Sequence, residues 1–224
     1  MIMKRLIAAI ALCLPLCMMA QSNWERPDDG SSKQQEPKKE KKEKPQKDNG
    51  DAQYIMPGAV PVIDGKVSWT TDIEVHESSA QQNYDLMLAF LTKMVKESNQ
   101  LPESNVSLVN KTERKIAASI REWLVFSSSF ISIDRTEFHY TLLAECFDNH
   151  VLVTLNRIAY HYPEQQNKVT IYKAEELITD NKALNKAHTK LIRPGSKFRR
   201  KTIDRKDELF ARMAEYLQNG GEQE

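Results

Sequence analysis

The sequence predicts an α+β protein of two layers, a curved antiparallel sheet of about five strands backed by two amphipathic helices. Three observations predict it. A stretch of period-two alternation is followed by a helical stripe; four more strand-like stretches follow with short turns and no long helix between them; a second helical stripe closes the chain. The order is strand, helix, four strands, helix. Consecutive strands joined by short turns pair antiparallel.

Two segments precede these elements. Met1 to Ala20 reads as a signal peptide, with Lys4 and Arg5 as the positive start, Leu6 to Leu16 as the apolar stretch, and Met18 and Ala20 as a peptidase site before Gln21. About 11 apolar residues span only ~16 Å as a helix, well short of a ~30 Å hydrocarbon core, so cleavage is expected rather than anchoring. The mature chain is then exported, to the periplasm or beyond. Lipidation at Cys17 is the alternative, and Leu16 argues against it because a small residue usually precedes a lipidated cysteine. Cleavage removes Cys13 and Cys17 and leaves Cys146 alone, which excludes an internal disulfide. Residues 21–57 carry Pro27, Pro37, Pro45 and a Lys/Glu run over 38–44. Too little apolar surface is present to offset the entropy of ordering, so a disordered tether is expected. Residues 21–50 hold eight basic and seven acidic groups, a mixed polyampholyte rather than a cationic arm.

The domain proper is expected over 58–220, with a tail at 221–224. From Asp51 onward there are 22 basic and 24 acidic residues, so net charge gives no support to nucleic-acid binding. No stretch after the signal approaches 18 apolar residues, so no transmembrane span is expected in the mature chain. Val67, Trp69, Ile73 and Val75 fall on one side of the first strand. Ser78 with Gln81 reads as a capping box, and Tyr84, Leu88, Leu91 and Val95 recur at helical spacing before Pro102. Strands are then expected at 106–110, 115–126, 137–146 and 151–158, the last two joined by a tight Asp148-Asn149 turn. Ala174 to Ile178 is a short helical candidate. Asp204, Asp207 and Glu208 place acid in the first turn of a final helix, whose stripe is Leu209, Phe210, Met213, Tyr216 and Leu217.

The stretch VPVIDGKVSWTTDIEV, the helix, the run of four strands and the closing KTIDRKDELFARMAEYL together resemble a family of exported bacterial domains of unknown function with a TBP-like fold. The likeness covers roughly residues 60–217. Its motifs are Asp64-Gly65-Lys66-Val67 and Lys201-Thr202-Ile203. The resemblance implies a curved sheet backed by two helices, and brings no catalytic residues and no ligand.

Candidate sites are few. No G-x-S-x-G elbow, H-E-x-x-H pair or P-loop is present. None of the five histidines is paired at the spacings zinc ligands favour, so no metal and no cofactor are expected. A divalent-metal site can be drawn from His139 and His161 with Asp134 and Glu137. A small periplasmic enzyme of the metal-dependent hydrolase kind, using His139, Asp134 and Glu137, is the alternative to a binding module. Two features favour a binder. With Ile116, Ala118, Ile120, Leu124 and Phe126 toward the helices, Trp123 points away, joined on that open face by Leu143, Leu152 and Ile158. Such a patch is either covered by residues 159–193 or is a docking surface. The second feature is a run over 182–206 with ten basic residues and one acid. Arg199, Arg200 and Lys201 precede the expected helix start, where the macrodipole disfavours cations, so an anionic surface such as lipid head groups or polyanionic glycan would explain them. The function expected is therefore a non-catalytic binding or assembly module of the cell envelope, with Arg199, Arg200, Lys201 and Trp123 as binding residues and no nucleic-acid partner.

Overall fold

A computed structural model describes residues 50–163 and 168–221. The expected signal peptide and all but the last residues of the expected tether lie outside them, as do 222–224. In chain order the elements are α1 (Ala52–Ile55), β1 (Val62–Ile63), β2 (Lys66–Val67), β3 (Trp69–Glu74), α2 (Ala80–Met94), β4 (Asn105–Asn110), β5 (Lys115–Ser128), β6 (Ile133–Phe147), β7 (His150–Pro163), β8 (Val169–Lys173), α3 (Ala174–Leu177), α4 (Asp180–Ala183) and α5 (Gly195–Gln218).

Six strands form one sheet in the order β3-β7-β6-β5-β4, with β8 on the far half of β7, and every pairing is antiparallel. The two-layer α+β architecture with an antiparallel sheet is as the sequence predicts, with one strand more. The extra strand, β8, is only five residues long. β1 and β2 make a separate hairpin whose Asp64-Gly65 turn has positive φ at both residues, 49° and 74°, the two-residue geometry that suits the twist of the strands.

Alternation builds the core. On β5 and β6 the even-numbered residues Ile116, Ala118, Ile120, Phe138, Leu142 and Ala144 are buried against α2 and α5. The capping box of α2 sits one residue later than the spacing suggests, on Ser79 and Gln82, and the helix buries Tyr84, Met87, Phe90, Leu91 and Met94. Asp148, in the β6–β7 turn, accepts a bond from the Ala80 N–H and so fastens the start of α2 to the sheet. The two long helices meet where Phe90 packs on Tyr216 at 5.3 Å and Arg212 pairs with Glu97.

Three findings revise the sequence expectations. First, α5 begins at Gly195, not near Asp204, so Arg199, Arg200 and Lys201 lie inside it. A Cβ on Gly195 would come within 2.3 Å of the Leu177 carbonyl oxygen, so a glycine is what lets α5 start against α3. Second, the described residues of 159–193 do not fold over the open face. They extend β7, add β8 at the edge, and bury Ala174, Leu177, Ile178 and Ala183 on the helix side, where Arg199 donates to the Ile178 carbonyl. Third, the folded domain starts before residue 58. Asp51 accepts both Arg200 guanidinium bonds at 2.7 and 2.8 Å, and Tyr54 bonds Asp204 and, through its carbonyl, Arg199.

Candidate functional site

The face of the sheet away from the helices carries the odd-numbered residues of β5 and β6. Across β5, β6, β7 and β8 the register aligns Arg121 with His139, Ala159 and Lys173, then Trp123 with Glu137, His161 and Ile171. Every residue of this face on β5, β6 and β7 keeps some exposure. Its membership is edited by one irregularity. Between His139↔Ala159 and Thr141↔Asn156 the register shifts, so Arg157 and Ile158 oppose the single residue Tyr140. Arg157 sits at φ 54°. This β-bulge reverses the alternation of β7: Val151, Val153 and Leu155 are buried before it, Ile158 and Tyr160 after it. Ile158, expected on the open face, is therefore in the core, and His161 is carried to the open face.

Three ionisable side chains converge there. His139 Nε2 lies 3.1 Å from Glu137 Oε2, and His161 Nδ1 lies 3.9 Å from the same oxygen. The two imidazoles are 3.9 Å apart between centroids. Loss of water around His139 lowers its pKa, Glu137 opposes that shift, and His161 and Arg121 reinforce it. Asp134 is not part of the group. Its even position turns it to the helix side, where it accepts from Tyr162 at 2.8 Å and pairs with Lys197 at 2.8 Å. The trio His139, Asp134, Glu137 is thus split by the sheet, and His161 takes the place assigned to Asp134.

Beside the cluster, Trp123 lies on the open face as its position implies, with the Arg135 guanidinium 3.7 Å from the ring centroid. Beyond it the face ends in exposed apolar side chains: Val125, Ile133, Val169 and Ile171 on the strands, and Phe130 and Ile131 at the β5–β6 tip, the last two at 107% and 93% exposure.

A family described as a domain of unknown function with TBP-like fold, DUF4468, matches residues 69–161, from the first residue of β3 to His161. A crystal structure of a DUF4468 family protein from Bacteroides ovatus is 38% identical to the chain, with 75% of this chain and 94% of that one covered at a TM-score of 0.68. This chain belongs to the DUF4468 family. A TBP-like protein from Parabacteroides distasonis is 28% identical, with 71% and 97% covered at a TM-score of 0.59. No curated protein matches the sequence.

Half of the basic run of this DUF4468 domain, five of its ten cations, is paired with acids of the same domain. Arg199 has no exposed surface and pairs with Asp180 at 2.7 Å. Arg200 is bound by Asp51, whose carboxyl the Arg200 hydrogen bond holds below the usual range. Arg205 is buried against Glu122, and Lys197 against Asp134. Lys201 is half-buried. Arg199 is therefore a structural tie and has no surface to offer an outside anion; Lys182, Lys186, Lys190 and Arg193 carry the exposed charge. A depression of about 620 Å³ lined by Asp134, Arg193, Lys197 and Arg200 holds one of these exposed cations, Arg193, beside the two paired ones.

The charged group that the sequence reading missed is Glu122. It faces the helices at 1% exposure and receives Arg205 Nε and Nη2 at 2.8 and 2.7 Å, Tyr140 at 3.0 Å, Gln100 at 2.7 Å and Asn99 at 3.2 Å. Its even position between Ile120 and Leu124 was the one clue, since a carboxylate on an apolar face implies a buried cation.

Proposed function

We propose that this domain is an exported, non-catalytic binding or assembly module of the cell envelope, docking a partner protein on the open face of its sheet. One observation carries the reading: a face uncovered by either long helix combines a Trp123–Arg135 stack with exposed Val, Ile and Phe side chains at one end. Exposed apolar groups gathered in one place, with aromatic and arginine anchors beside them, are what a protein interface uses. The exposed cations over 182–193 would add attraction to an acidic or anionic surface, weakened by salt. Export rests on residues 1–20 alone.

The test is affinity capture from envelope extract on the mature chain, beside Trp123→Ala and beside Phe130→Asp/Ile131→Asp. The expected outcome is a specific partner held by the wild type and lost with both variants, each still folded by circular dichroism. Equal capture by all three proteins would move the interface off this face. Cell fractionation with N-terminal sequencing tests export: a mature chain beginning at Gln21 in the envelope or medium supports it, and an intact Met1 chain in the cytoplasm overturns it.

A further inference from the structure

We propose that Glu137, His139 and His161 form a binding site for a divalent first-row transition ion, with Zn2+ as the representative ligand. The inference stands apart from the docking reading, because it rests on these three side chains and not on the apolar border.

Distance is the first argument. Zinc holds imidazole nitrogen at about 2.0–2.1 Å and carboxylate oxygen at about 2.0–2.2 Å, so two ligand atoms on one tetrahedral ion lie about 3.3 Å apart. His139 Nε2 and His161 Nδ1 are 3.1 and 3.9 Å from Glu137 Oε2, and the three ligand atoms all lie within 4.8 Å of one another. Small side-chain rotations bring such atoms onto one ion without backbone movement.

Donor type is the second. Two imidazoles with one carboxylate suit zinc and its neighbours, whereas Mg2+ and Ca2+ prefer oxygen alone. Without an ion, two adjacent imidazoles, tilted 32° to each other, share one carboxylate; a dication satisfies both.

Placement is the third. Glu137 and His161 face each other across β6 and β7, and His139 is the next residue of the same face. Both strands are paired on each side, so the ligands stand on a rigid backbone. His161 is there only because of the β7 bulge. Unbroken alternation from His150, Leu152, Thr154 and Asn156 would turn it toward the helices. The bulge holds Arg157, a non-glycine residue, at φ 54°, a conformation that costs about 1 kcal/mol or more. Three protein ligands leave the fourth position open to solvent, for water or for a donor from a partner. Arg121, opposite His139 in register, and Lys173, opposite Ala159, are the cations that oppose the ion and limit its affinity.

The test is calorimetric titration of the untagged, metal-stripped mature chain with ZnCl2 and, separately, MgCl2. The expected result is one equivalent of saturable Zn2+ binding and no heat with Mg2+. His139→Ala and His161→Ala each weaken Zn2+ binding by about 100-fold, and His150→Ala, remote from the cluster, leaves it unchanged. Circular dichroism shows the variants folded, since all three ligands are partly exposed. Zn2+ raises the melting temperature of the wild type and not of the His139→Ala/His161→Ala protein. Absence of Zn2+ binding, binding that survives the double substitution, or equal binding of Mg2+ overturns the site.

Discussion

On the helix side of the sheet β5, β6 and β7 present Ile120, Phe138 and Tyr160, each at 1% exposure or less, while the next residues along those strands, Arg121, His139 and His161, stay within reach of water. Both faces hold charge, and they hold it differently. Glu122, on the covered face, has a partner in every direction: Arg205, Tyr140, Gln100 and Asn99. Glu137, on the open face, has two histidines and spare capacity. A charge is tolerated inside only when its hydrogen bonds are complete, whereas outside water completes them until a ligand does.

Breaking the covered face gives the largest effect. Glu122→Ala leaves Arg205 buried and unpaired and lowers stability by about 3–5 kcal/mol in urea unfolding. Glu122→Leu/Arg205→Leu loses much less, because no charge is stranded; an equal loss would refute the comparison. At the bulge that divides β7 between the two faces, Arg157→Gly relieves the positive φ and raises stability by about 1 kcal/mol, read as a higher urea midpoint. On the open face Trp123→Ala removes the Arg135 stack and costs about 1 kcal/mol or less in the same assay. A loss as large as that of Glu122→Ala would mean the face is core. The smallest effect is in acid. Because Arg200 lowers the Asp51 pKa below 3.8, folded chains bind fewer protons than unfolded ones there, and stability falls as pH drops through and below that value. Arg200→Gln flattens this slope in melts between pH 5 and pH 2. Cys146 supplies a chemical contrast: burial pushes its thiol up to about 12, so it resists alkylation at pH 8 until denaturant is added.

The strands were legible wherever alternation runs unbroken. The expected segments 115–126, 137–146 and 151–158 all lie within β5, β6 and β7. Their extensions were not, since Ser127 to Ser132 has no alternation and Arg157 reverses the period. That reversal misplaced Ile158, and it is what puts His161 on the face of Glu137 and His139, with which the sequence had grouped it alongside Asp134. Parity alone could have separated Asp134 from Glu137 and His139. The first turns of α5 were illegible for an electrostatic reason. A basic helix start is unfavourable by itself, and here it is offset by Asp51, Asp134 and Asp180, which lie between 19 and 149 residues away from their partners. Local sequence carries no trace of such compensation.

The fastening of residues 51–54 to α5 has a mechanical consequence. Tension arriving along the chain from residue 50 meets the Asp51–Arg200 bonds and the Tyr54 links to Arg199 and Asp204 before it reaches any strand. It passes into a 24-residue helix, ~36 Å of continuous rod that lies against the sheet. Force from upstream is thereby delivered first to the helix layer and not to an edge strand.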